Sequence, residues 1–150
     1  MTPKTKRTIL LTVLGLIIIG AGVGYYLYTK KPLNPNDVSP DTKTTSTELY
    51  QAFATDTVVA KQKFSRKDEV VEVSGSVTGM SQNPDKQPII LLKTNAEGAS
   101  INCTIEGPAP NIKEGDKVNL KGFCTGMNGS VDLEMGVLPD VYMSRCYLIK

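Results

Sequence analysis

Hydrophobic and polar positions divide this chain of 150 residues into three consecutive parts with different patterns. Residues 8–29 carry no charged side chain, and aliphatic residues dominate from Ile9 to Ile19. A helix of about 20 residues, rising about 1.5 Å per residue, crosses the roughly 30 Å hydrocarbon core of a bilayer. The pattern therefore predicts a transmembrane anchor over residues 8–29, preceded by a short N-terminus at residues 1–7.

The charges that flank this anchor predict its orientation. The flanking basic residues are Lys4, Lys6 and Arg7 before the anchor and Lys30 and Lys31 after it. The larger number on the N-terminal side favours a cytoplasmic N-terminus by the positive-inside rule. We therefore expect a single-pass protein of the bacterial inner (cytoplasmic) membrane. Its C-terminal domain lies outside the cytoplasm, in the periplasm if the cell has two membranes.

A cleaved signal peptide is the alternative interpretation of the same segment. The small residues Gly20, Ala21 and Gly22 would suit a cleavage site. However, the hydrophobic stretch continues through Val23 to Tyr28, whereas the apolar part of a signal peptide usually has about 7 to 15 residues. The length of the stretch favours an uncleaved anchor.

The second part of the chain, residues 30–44, has the composition of a linker. It contains Pro32, Pro35 and Pro40, and its only aliphatic residues are Leu33 and Val38. Such a segment has too little apolar surface to offset the entropy of folding. We therefore predict a Pro-rich linker over residues 30–44 and a folded domain over residues 45–150, which is long enough for one small core.

The third part opens with a helical pattern. Thr45 and Glu48 have the spacing of a capping box, in which each side chain binds the backbone amide of the other residue. Leu49, Phe53 and Ala60 then follow helical spacing. This pattern predicts a leading helix that packs on the domain behind it.

From Glu69 onward apolar and polar residues alternate, which indicates β-strands. The predicted strands begin near Val71, Pro88, Ala99, Lys117 and Val141. Five short strands after a leading helix favour a mainly β fold, a five-stranded OB-fold Greek-key barrel, in which the fifth strand lies between the third and the fourth. A five-stranded sandwich is the alternative. The alternation assigns five side chains to the core: Val73, Leu91, Ile101, Val118 and Leu120.

Composition argues against several classes of function. The chain has no histidine and therefore lacks the usual proton shuttle at neutral pH, so we predict that it is not an enzyme and carries no cofactor. An acid pair or calcium site could use Asp132, Glu134 and Asp140, but surface charge explains these residues equally well, and we predict no metal site. From residue 45 onward acidic residues slightly outnumber basic ones, which argues against nucleic acid as the ligand.

Three cysteines, Cys103, Cys124 and Cys146, fall on predicted strands beside aliphatic residues. They would be buried small hydrophobic residues in a reducing compartment, whereas in an exported domain they could oxidise. The order of strands in an OB barrel makes both other cysteines neighbours of Cys146. We predict a disulfide between Cys124 and Cys146, with Cys103 and Cys146 as the alternative pair.

The connection between the last two strands, residues 125–139, is unusually apolar for a surface loop. OB folds often contact ligands through this loop, and methionine adapts to irregular partners. We therefore predict a binding loop, although the loop could also fold back over the mouth of the barrel. Its apolar residues include Met127, Val131, Leu133, Met135 and Leu138.

Several motifs follow one another in this part of the chain. They are Glu48-Leu49-Tyr50 with Phe53, Val71-x-Val73-x-Gly75-x-Val77, the run from Gly115-Asp116-Lys117-Val118 to Cys124-Thr125-Gly126, and Asp140-Val141-x-Met143-x-Arg145-Cys146-x-Leu148. Their order resembles the tRNA_anti-like family of small bacterial OB-fold proteins, over roughly residues 45 to 150. The resemblance implies the fold and often an N-terminal membrane or export segment. It implies little about the ligand, because OB folds host unrelated binding functions.

Together these patterns predict a membrane-anchored, exported OB-fold binding module. Its expected partner is a protein or another component of the cell envelope. Binding of nucleic acid or of an oligosaccharide is one alternative. A structural envelope protein without a small ligand is the other.

Overall fold

The structure, a computed structural model, describes residues 3–129 and 138–149, with side chains from residue 9 onward. Helix α1 spans Pro3–Thr29, and its stretch Ile9–Thr29 is long and apolar enough to cross a membrane. Its large apolar side chains are exposed, as Leu10 illustrates at 68%. This helix belongs to a compact unit of residues 1–33 that is separate from the unit of residues 34–150.

The second unit begins at Asn34, earlier than the domain predicted from residue 45. Most of the linker predicted over residues 30–44 therefore belongs to the folded unit. Pro35 is buried within a short 3₁₀ helix, Pro35–Asp37. Strand β1, Thr42–Thr45, pairs in parallel with the start of the next strand. The Lys121 ammonium donates hydrogen bonds to the carbonyl oxygens of Asn36 and Val38, at 2.9 and 3.2 Å. These backbone contacts hold a segment whose composition alone would leave it unfolded.

Two helices follow where the sequence predicted one. Helix α2 spans Ser46–Thr55 and begins with the predicted capping box between Thr45 and Glu48. Asp56 ends α2, and its carboxylate then accepts hydrogen bonds from the amides of Val58 and Val59, which starts helix α3, Thr57–Phe64. The aspartate is therefore the N-cap of α3 rather than a residue within one continuous helix.

Five further strands form a closed barrel, which confirms the predicted fold class. The strands are β2 (Val71–Gln82), β3 (Pro88–Lys93), β4 (Ser100–Ile105), β5 (Lys117–Met127) and β6 (Val141–Ile149). Their order is β2-β3-β4-β6-β5, and β5 pairs back to β2 to close the barrel. The fifth barrel strand, β6, therefore lies between the third and the fourth, as expected for an OB fold.

The barrel interior contains most of the predicted core. Val73, Ile101 and Leu120 are fully buried, and Val118 is nearly so. The assignment of Leu91 to the core is wrong: Ile90 and Leu92 are the fully buried residues of β3, whereas Leu91 is half-buried on the opposite face. A run of four aliphatic residues carries no alternation, so the sequence could not fix the register of this strand.

Candidate functional site

The ends of the predicted binding loop lie against the barrel. Met127 is buried, and Leu138 packs partly buried against the core. The Asn128 amide donates a hydrogen bond to the Asp140 carbonyl oxygen at 3.2 Å, which closes the base of the loop. The two described ends of the loop therefore pack on the barrel, and the binding loop stays a prediction. The other predicted loop residues, Val131, Leu133 and Met135, lie outside the described residues.

Asp140 has a structural role at the same end of the barrel. Its carboxylate accepts hydrogen bonds from the Ser100 amide at 2.7 Å and from the Asn102 side-chain amide at 2.9 Å. These bonds join the starts of β4 and β6. Asp132 and Glu134, the other members of the acid or calcium site considered above, lie outside the described residues. Among the described residues no cluster of potential metal ligands occurs.

A buried tyrosine lies within the electrostatic reach of Asp140. Tyr50 of α2 is 3% exposed, and its hydroxyl has no hydrogen-bond partner among the described residues. Burial raises the pKa of Tyr50, and the charge of Asp140 raises it further. The phenol is therefore held in its neutral form within the interface between α2 and the barrel.

All three cysteines are buried and free in the structure. Burial raises the pKa of Cys124, partly offset by the nearby Ser65 hydroxyl and the Gly126 backbone. The pKa of Cys146 is raised well above its usual range, first by a hydrogen bond with Cys103 and then by burial. These environments favour the protonated and therefore weakly nucleophilic form of the Cys124 and Cys146 thiols in the folded domain. Neither disulfide is present, and the bridge stays a prediction.

A polar groove of about 440 Å³ lies where α2 meets the barrel. We call it the α2 groove. It runs between the start of α2, the middle of β2, the end of β3 and the start of β5. Its lining residues are Thr45, Ser46, Thr47, Ser74, Gly75, Ser76, Lys93, Thr94, Lys117, Val118 and Asn119.

Gly75 and Ser46 bring the two walls of the α2 groove together. A Cβ atom on Gly75 would lie 2.7 Å from the Ser46 Oγ, so only glycine lets the helix approach this closely. The Ser46 hydroxyl donates a hydrogen bond to the Lys93 carbonyl oxygen, which ties the start of α2 to the end of β3. This contact positions the Lys93 side chain at one side of the groove.

The described lining of the α2 groove carries positively charged and hydrogen-bonding groups. Lys93 and Lys117 are exposed, and none of the described lining residues is acidic. Ser74, Ser76 and Asn119 add hydroxyl and amide groups that can donate or accept hydrogen bonds. The nearby Glu48 carboxylate accepts a hydrogen bond from the Thr45 amide, which lowers its pKa and occupies it within the helix cap.

A second pocket, of about 570 Å³, continues from the α2 groove around the turn between β3 and β4. The two share Lys93 and Thr94. The Thr94 hydroxyl is bonded to the carbonyl oxygens of Ala96 and Ala99, so it stabilises the turn. Lys93 therefore lies at the junction of the α2 groove and the second pocket.

Sequence reasoning missed the α2 groove. Gly75 and Ser46 are 29 positions apart in the chain, so no local pattern predicts their contact. The hydroxyl groups at Ser74 and Ser76 appeared only as the polar positions of an alternating strand. A weak signal was the glycine placed between two serines, because a small residue inside a strand often marks a close approach of another element.

Comparison with known proteins supplies the family. No curated protein matches the chain. The family model described as tRNA_anti-like matches residues 1–134, and so includes the apolar N-terminal segment that the motif resemblance did not cover. This family is not a known enzymatic family, and its OB-like barrel supports a role in binding. The chain belongs to the tRNA_anti-like family.

Proposed function

We propose that this protein is a membrane-anchored binding module that recognises an anionic, hydroxyl-rich component of the cell envelope. The observation that carries the proposal is the α2 groove, with its hydroxyl lining and two exposed lysines. Such a lining suits a sugar polymer that bears carboxylate groups. The protein hydroxyl groups can form hydrogen bonds with sugar hydroxyl groups, and the lysine ammonium groups attract the carboxylates. No catalytic step is part of this proposal.

The apolar helix α1 supports the location that we propose. Its stretch Ile9–Thr29 would anchor the chain in the inner membrane, with the N-terminus in the cytoplasm and the barrel outside. A barrel in that position would meet wall polymers rather than nucleic acid. The slight excess of acidic residues in the domain argues against nucleic acid, because affinity for nucleic acid comes largely from neutralising phosphates.

Binding of peptidoglycan fragments to the full chain in detergent micelles tests this proposal. We expect binding that weakens as salt rises, because exposed charges are screened. Lys93→Ala combined with Lys117→Ala should reduce the affinity at least about tenfold, a change of about 1.4 kcal/mol. Lys86→Ala is the matched control, because Lys86 is exposed in the turn between β2 and β3 and does not line the groove. The proposal would be refuted if the double variant bound the fragments as tightly as the Lys86→Ala control does. It would also be refuted if neutral chitin oligosaccharides bound as tightly as the peptidoglycan fragments.

A protein partner is the second candidate, and one observation favours it. Val58 and Val59 of α3 are 66% and 57% exposed, which is unusual for two adjacent aliphatic residues. Changing both to serine should abolish cross-linking to a protein partner if α3 is the docking element. The same double variant should leave binding at the α2 groove unchanged.

A further inference from the structure

The geometry points to Cys103 and Cys146 as the pair that forms a disulfide when the domain folds in an oxidising compartment, with Cys124 left as a free thiol. This inference does not depend on the ligand of the α2 groove. It concerns the parallel pair of strands β4 and β6, which completes the barrel.

Strand register places the two thiols together. In the β4–β6 pair, Cys103 lies opposite Met143 and Ile105 lies opposite Cys146, so the two cysteines are diagonal neighbours. Both are fully buried and point into the same core. The group acting most strongly on the Cys146 thiol is that of Cys103, which raises the pKa of Cys146 more than burial does.

Cys124 lies in a different environment. Cys124 of β5 pairs with Met143 of β6, and Met143 in turn pairs with Cys103 of β4. Met143 therefore lies between Cys124 and Cys103. The groups that act most on the Cys124 thiol are the Ser65 hydroxyl and the Gly126 backbone, while Cys103 and Glu69 have smaller effects. On the side of β6 that faces β5, the Cys146 thiol lies against Gly122. A Cβ atom on Gly122 would be 2.7 Å from the Cys146 Sγ. The diagonal from Cys146 to Cys103 is therefore the better pair.

The bond would form during folding, by thiol–disulfide exchange with a disulfide donor such as oxidised glutathione or an oxidoreductase. One protein thiolate attacks the donor disulfide, giving a mixed disulfide and releasing one donor thiol. The second protein thiolate then attacks the sulfur of the first cysteine and releases the other donor thiol. The protein loses two protons and two electrons, and the donor is reduced to two thiols. Once the barrel closes, burial shields both cysteines from further exchange.

Peptide mapping of the full chain tests this pairing. Protein extracted from membranes is alkylated at once in denaturant, so that buried thiols react, then digested with trypsin without reduction and analysed by mass spectrometry. Cleavage after Lys93, Lys113, Lys121 and Arg145 places each cysteine in a separate peptide. We expect the peptide of residues 94–113 linked to that of residues 146–150, with Cys124 alkylated.

Two variants complete the test. Cys124→Ala should keep the linked peptides, whereas Cys103→Ala should leave Cys146 alkylated rather than bonded to Cys124. A wild-type chain with Cys124 linked to Cys146, or with all three thiols alkylated, would overturn the inference. As a second measurement, refolding the chain in micelles with a glutathione redox buffer should give the same pair, while the already folded, reduced chain should remain reduced in that buffer.

Discussion

Gly122 of β5 lies so close to Cys146 of β6 that a Cβ atom on the glycine would be 2.7 Å from the Cys146 Sγ and 2.8 Å from the Ser144 carbonyl oxygen. Because the second atom belongs to the backbone, an added methyl group must displace β6. We expect Gly122→Ala to lower the free energy of unfolding by about 1 to 3 kcal/mol, as overpacking does in other cores. Denaturant titration of the full chain in micelles, followed by circular dichroism, measures this.

Gly79→Ala is the matched control for that variant. The nearest atom to a Cβ at Gly79 is Leu91 Cδ1 at 3.6 Å, which is an ordinary contact. We therefore expect little change in the denaturation midpoint. A Gly122→Ala chain as stable as Gly79→Ala would mean that β5 and β6 lie further apart than described.

The hydrogen bonds of Asp140 predict a second effect on stability. Asp140→Ala removes the acceptor for the Ser100 amide and for the buried Asn102 side chain. Leaving such groups without a partner should cost about 1 to 3 kcal/mol. Asp85→Ala, in the exposed turn between β2 and β3, should cost almost nothing. If Asp140 were chiefly a ligand-binding residue, its loss would leave the midpoint unchanged.

Leu120 tests the register of β5. It is fully buried, and Leu120→Ala should lower the free energy of unfolding by about 2 to 5 kcal/mol. The exposed neighbour Asn119 is the control, and Asn119→Ala should have little effect. Lys121→Ala should be intermediate, because it removes the two hydrogen bonds to the segment before β1. A reversed order between Leu120 and Asn119 would contradict the register.

Glu48 predicts a small dependence of stability on pH. Its pKa is lowered in the folded state, first by the hydrogen bond from the Thr45 backbone amide. A lowered pKa means that the cap stabilises the fold above the ordinary carboxylate value of about 4.3 and loses that contribution as the pH falls through the folded pKa. Glu48→Gln should therefore flatten the acid limb of a stability curve. An unchanged acid limb would show that the carboxylate does not cap α2.

The location of the barrel can be tested by a fusion to the last residue. A phosphatase reporter that is active only outside the cytoplasm, joined after Lys150, should be active in the membrane fraction. Activity in the soluble fraction would identify residues 1–29 as a cleaved signal. An inactive but stable fusion would reverse the proposed orientation.

Sequence patterns were sufficient to predict the barrel, but they did not predict the ordered segment before β1 or the α2 groove. Alternation placed Val73 and Leu120 in the core, because a strand that is buried on one face repeats every two residues. The same reasoning failed at Leu91, within four consecutive aliphatic residues, and at residues 34–44, whose order comes from contacts with β2 and Lys121. The α2 groove depends on Ser46 meeting Gly75 and Lys93, a contact between distant parts of the chain that no local pattern encodes.

Photo-cross-linking from the α2 groove in growing cells tests the central proposal most directly. A photoreactive amino acid replaces the exposed Asn119 in the full chain, and the control carries it at Asp85, outside the groove. We predict that light yields wall-glycan adducts from position 119 and few from position 85, and that the Lys93→Ala, Lys117→Ala double variant loses them. Equal glycan adducts from both positions, or only protein adducts from position 119, would contradict this account.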